Sequence, residues 1–67
     1  MALYKVRVGT DSGEVVTIMA RGYLEAYSKA QELAAKNQRC ALVYVDTPDG
    51  WKVKNTVAPD GRRIKNA

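Results

Sequence analysis

The sequence predicts an α+β domain, β-β-α-β-β(-β), with an antiparallel sheet in the order 2-1-3-4 and one helix packed on one face. Three observations carry this. Gly22 to Asn37 (GYLEAYSKAQELAAKN) is the only clearly helical run. The segments on either side of it alternate apolar and polar residues at period two, as half-buried strands do. Pro-Asp-Gly occurs twice, eleven residues apart, in Thr47–Asn55 and Ala58–Asn66, each copy followed by a β-branched residue among basic ones. Pro presets φ at the second turn position and Gly accepts positive φ at its end, so each copy predicts a turn into a short strand.

Leu3–Val8 reads as the first strand, with Tyr4, Val6 and Val8 on one face and Lys5 and Arg7 on the other. Gly9–Gly13 supplies turn chemistry, Asp11 being able to cap its own backbone. Glu14–Ala20 is the second strand, rich in β-branched residues. Its faces, Val16/Ile18/Ala20 and Val15/Thr17/Met19, are both largely apolar, so one is assigned to the core and the other to a partner.

In the helix, Tyr23, Ala26, Tyr27, Ala30, Leu33 and Ala34 share the inner face. Glu25–Lys29 and Glu32–Lys36 form i,i+4 pairs on the outer one. Gly22 is the N-cap and Asn37 the left-handed residue expected at the C-terminal end. Arg39–Val45 (RCALVYV) is the most apolar strand and is expected at the centre of the sheet. After the helix, this strand runs parallel to the second and pairs antiparallel with the first. The whole chain, residues 1–67, forms one domain, with residues 58–67 either a fifth edge strand beside the fourth or a frayed tail.

A chain of 67 residues lies near the lower size limit for unaided folding, and its 46% hydrophobic share is that of a globular protein. A core of this size leaves no room for a deep catalytic cleft. The single cysteine, Cys40, excludes an internal disulfide and fits a reducing, cytoplasmic setting. Its place in an apolar strand predicts a buried, inert thiol. No run approaches the roughly 20 apolar residues needed to span a bilayer. Met1–Val8, with Lys5 and Arg7 inside it, does not read as a signal peptide.

The net charge of +4 is uneven. Residues 1–46 carry six Lys/Arg and five Asp/Glu, whereas residues 47–67 carry five Lys/Arg against Asp49 and Asp60. A polyanionic partner would therefore meet the C-terminal part first. Catalysis is disfavoured. There is no histidine, the lone cysteine has no base to activate it, and the carboxylates are not grouped for acid–base work or metal binding. Gly9–Gly13 lacks the Gly-Lys-Ser/Thr ending of a phosphate loop and leads into a strand. No cofactor and no metal are expected.

The candidate partner-binding residues are Trp51, Lys52, Lys54, Arg62, Arg63 and Lys65, an aromatic among bases on adjacent strands. Alternation puts Lys52 and Lys54 opposite Trp51 and Val53, and the bases read as a ladder on the wet face, facing phosphates or an acidic protein surface. Lysines on edge strands also guard against aggregation, and Trp51 reads as a core lid more readily than as a stacking platform. The paired aromatics of an RNA-recognition sheet are absent from the sequence as read.

Val15-Val16-Thr17-Ile18-Met19-Ala20, followed by Leu24-Glu25-Ala26 and a helix with Ala30 inside, resembles the strand-to-helix segment of the small T7-like phage inhibitors of bacterial RNA polymerase. The resemblance covers about half the chain. It implies a small, non-enzymatic, phage-type protein that binds and inhibits or modulates a host protein machine, acting in the host cytoplasm. That family contacts polymerase through arginines on its third strand, where this chain has Val43 and Val45, so those contacts do not carry over. The alternative from the residues is a nucleic-acid-binding module that uses the C-terminal Lys/Arg ladder.

Overall fold

The computed structural model describes residues 3–65, with the side chain of Lys65 outside the described part. The elements are β1 (Tyr4–Gly9), β2 (Val15–Ala20), α1 (Tyr23–Asn37), β3 (Ala41–Thr47), β4 (Gly50–Val57) and β5 (Arg63–Lys65). All strand pairs are antiparallel, in the order β2-β1-β3-β4-β5, and α1 packs across one face. The predicted class and strand order are the observed ones.

The core is built from small residues. Val6, Val8, Ala20, Ala41, Val43 and Val57 of the sheet meet Ala26, Ala30 and Ala34 of the helix. Among the described residues no fully buried side chain exceeds valine in size. Three alanines spaced one turn apart let the helix backbone approach the sheet closely, so branched valines suffice to fill the layer. Tyr4, Tyr23, Tyr27 and Leu33 close its margins, with Tyr23 and Tyr27 stacked at a centroid distance of 6.1 Å.

The helix starts at the expected N-cap, Gly22, but departs from the sequence expectation in the pairing of Glu25 and at its C-terminal end. Glu25 bends back to accept a hydrogen bond from the Arg21 amide at 3.0 Å, which engages it away from Lys29. At the other end Gln38, not Asn37, takes the left-handed conformation, at φ 53°. Asn37 remains helical and its side-chain amide donates to the Leu33 carbonyl at 2.9 Å. The Gln38 side chain in turn donates to the Ala35 carbonyl at 2.6 Å, satisfying one of the open carbonyls of the last turn, and the reversal falls one residue later than expected.

The reversal takes up residues 38–40, so β3 begins at Ala41, two residues later than expected. Cys40 therefore precedes the strand and is exposed, correcting its expected burial.

Both Pro-Asp-Gly segments form hairpin turns with glycine at positive φ, 108° at Gly50 and 91° at Gly61. The second is tied to the helix. The Gly61 carbonyl accepts hydrogen bonds from the Tyr27 hydroxyl at 2.9 Å and from Gln31 Nε2 at 3.1 Å. Beyond it, Arg63, Ile64 and Lys65 pair with Val57, Thr56 and Asn55.

The register between β3 and β4 shifts once. Val43 pairs with Asn55 but Tyr44 pairs with Val53, leaving Lys54 as an inserted residue. Such a bulge resets the two-residue alternation. Asn55 and Val57 consequently face the core, while Trp51 and Val53 face away from the helix. A continuous alternation would have put all four on one face.

Candidate functional site

The helix-free face of the sheet is the larger candidate surface. Val15 and Met19 of β2, Trp51 and Val53 of β4 and Ile64 of β5 are between 37 and 53% exposed there. Lys5 and Arg7 of β1 and Leu42 and Tyr44 of β3 lie among them, since Lys5 pairs with Tyr44 and Arg7 with Leu42. An antiparallel sheet open to water on one side usually shows polar residues there. This one shows aliphatic and aromatic residues with two cations, Thr17 and Thr56 between them.

At its centre the Lys5 ammonium lies 4.3 Å from the Trp51 ring centroid and 5.4 Å from that of Tyr44. The pairing of Asp46 with Trp51 puts one carboxylate on the same face at the β3–β4 turn end. A shallow hollow of about 190 Å³ beside Arg7 and Leu42 reaches to Cys40.

A second, more polar cluster lies on the helix side, at the margin where α1 meets β4 and β5. The Tyr23 hydroxyl donates to Asn55 Oδ1 at 2.8 Å and accepts from Arg63 Nη1 at 3.4 Å. Asn55 is the buried polar side chain of the described core, 2% exposed. Hydrogen bonding to the Tyr23 oxygen raises the Arg63 guanidinium above its ordinary pKa. Lys54, pushed out by the bulge, places its ammonium 5.5 Å from the centre of the Tyr23 ring. Tyr23, Lys54, Asn55 and Arg63 together line a cavity of about 200 Å³.

The predicted binding residues are thus divided. Trp51 lies on the open face, not over the core. Lys52 pairs with Val45 on the opposite face, that of the helix. Lys54 and Arg63 come together at Tyr23. Arg62 sits at the second turn, its Nε 3.1 Å from Asp60 Oδ2. Lys65 pairs with Asn55 in the backbone, and its side chain lies outside the described residues. Among the described residues no basic ladder forms on the open face, because Lys52, Lys54 and Arg63 all lie on the helix side of the sheet and Arg62 stays at the turn.

Sequence reasoning missed Lys5, Tyr44, Tyr23 and Asn55. For the first two a signal existed: Lys5 was assigned to the wet face of β1, and Tyr44 alternates with the buried Val43. Asn55 carried none, since its burial depends on the bulge.

Among the described residues there is no group of three or more His, Cys, Asp or Glu side chains that could hold a metal ion. No helix among them is long and apolar enough to cross a membrane. No protein-family model, curated protein or solved structure matches this chain.

Proposed function

We propose that this chain works by stoichiometric binding, docking a protein partner on the open face of its sheet. The observation that carries this reading is the Tyr44–Lys5–Trp51 cluster, set among Val15, Met19, Val53 and Ile64 on a face that no element of the described residues covers. Contiguous apolar surface rimmed by polar groups is characteristic of interaction sites. Trp, Tyr and cationic side chains supply a large share of binding energy at such sites.

Charge selects the partner's chemistry. Lys5 and Arg7 lie within the patch and the whole chain carries +4, so an apolar surface with acidic groups around it is complementary. The resemblance of residues 14–34 to small phage inhibitors makes bacterial RNA polymerase the candidate host machine and the host cytoplasm the place of action. In this reading Lys52, Lys54, Arg62 and Arg63 lie outside the interface and act on encounter rate.

One observation favours a second reading. Tyr44 and Trp51, on neighbouring strands and the same face beside Lys5 and Arg7, have the arrangement in which the bases of a single strand stack on a sheet. Binding measured against the polymerase and against a single-stranded oligonucleotide, each at low and high salt, separates the two. The protein-docking reading expects polymerase affinity that changes little with salt and falls about thirtyfold in Trp51→Ala, the size of a ~2 kcal/mol hot spot. Steeply salt-dependent oligonucleotide binding that quenches Trp51, with no polymerase binding, would replace it by the second reading.

A further inference from the structure

We infer that the cavity between Tyr23, Lys54, Asn55 and Arg63 is a binding site for a phosphate group. It lies on the helix side of the sheet, opposite the proposed docking face, and is independent of that reading.

The first argument is charge. Lys54 and Arg63 converge on one tyrosine, the ammonium 5.5 Å from its ring centre and the guanidinium 3.4 Å from its oxygen. Among the described residues the ion pairs are Arg39–Asp11 and Arg62–Asp60, so neither of these cations has a carboxylate partner. Two like charges held around one small cavity repel each other, and an anion between them relieves that repulsion. A phosphate dianion matches the two positive charges. The planar guanidinium can present two parallel N–H donors to its oxygens, and the ammonium adds a point charge.

Preorganisation is the second argument. Asn55 is buried and accepts the Tyr23 proton, fixing the hydroxyl between core and cavity. The Tyr23 oxygen in turn orients Arg63. The inserted residue of the bulge is Lys54 itself, and bulges re-aim side chains next to functional sites. A regular β4 would not deliver both Asn55 to the core and Lys54 to this rim. The cavity, about 200 Å³, has room for a phosphate with some of its hydration.

The test is a titration followed by amide chemical shifts, with inorganic phosphate as the probe and chloride at equal ionic strength as the control. The expected result is a saturable shift at Tyr23, Asn55 and Arg63 at millimolar phosphate, absent with chloride. Lys54→Gln combined with Arg63→Gln should weaken binding at least about tenfold while the amide spectrum stays dispersed. Arg62→Gln, which removes a cation already paired with Asp60, should leave it unchanged. Repeating the titration with a nucleoside 5′-monophosphate and its parent nucleoside reads the source of the group. Tighter binding of the monophosphate alone assigns the site to an esterified phosphate, and equal binding assigns it to the free ion. Shifts that do not saturate, that occur equally with chloride, or that persist in the Lys54/Arg63 double variant would overturn the inference.

Discussion

Lys5 of β1 and Trp51 of β4 meet across the intervening strand β3, the ammonium 4.3 Å from the indole ring and above the Tyr44 ring it shares the face with. Removing the charge while keeping an apolar stem should expose this contact. Lys5→Met is expected to alter Trp51 fluorescence and to lower stability by about 0.5–1 kcal/mol, the range of exposed cation–π pairs. Denaturant titration with the single tryptophan as probe measures both. Unchanged emission would mean that the two side chains do not associate in solution.

The helix alanines should resist enlargement. Ala30 is fully buried against the sheet, and Ala30→Leu should destabilise by about 1–3 kcal/mol through overpacking. Leu33 is only partly buried, so Leu33→Ala is expected at or below the lower end of the ~2–5 kcal/mol usual for fully buried leucines. Thermal melts of the two variants should rank Ala30→Leu as no less damaging than Leu33→Ala.

The tie between the second turn and the helix can be measured. Tyr27→Phe deletes the hydroxyl that donates to the Gly61 carbonyl and should cost about 0.5–1.5 kcal/mol. Gly61→Ala should cost about 1–3 kcal/mol, because its φ of 91° is strained for an L side chain. Gly50→Ala shares the backbone strain, at φ 108°. The two are therefore expected to lose similar amounts if β5 is integral to the fold. A much smaller loss at Gly61 than at Gly50 would show that β5 contributes little to the fold.

Tyr23→Phe leaves the buried Asn55 carboxamide oxygen without its donor. The expected loss is about 1–3 kcal/mol, the range for an orphaned buried polar group. Asn55→Leu in the Tyr23→Phe background should recover part of it, since both polar partners are then gone. Equilibrium unfolding of the two variants reads the difference directly.

Cys40 is exposed ahead of β3, so a thiol-specific reagent should modify it under native conditions nearly as fast as in denaturant. Strong protection in the native state would place it back in the sheet.

The elements and the order of the first four strands are legible in the residues alone. Period-two segments and a single helical face can be buried together in only a few ways, and the short antiparallel connections leave the strand order 2-1-3-4, with the fifth strand left open against a frayed tail. Two Pro-Asp-Gly turns were legible because glycine at positive φ and proline at a fixed φ are local requirements. Which face each residue of β4 occupies depends on its pairing with β3. The bulge at Lys54 inserts one residue, and no local preference in Trp-Lys-Val-Lys-Asn announces it. It arises where the Tyr44–Val53 and Val43–Asn55 pairings must both be satisfied. That single inserted residue sends Trp51 to the open face beside Lys5, buries Asn55 under Tyr23 and brings Lys54 to Arg63. Which side of the sheet Trp51 and Asn55 occupy is thus a property of long-range strand pairing, which alternation along one strand cannot encode.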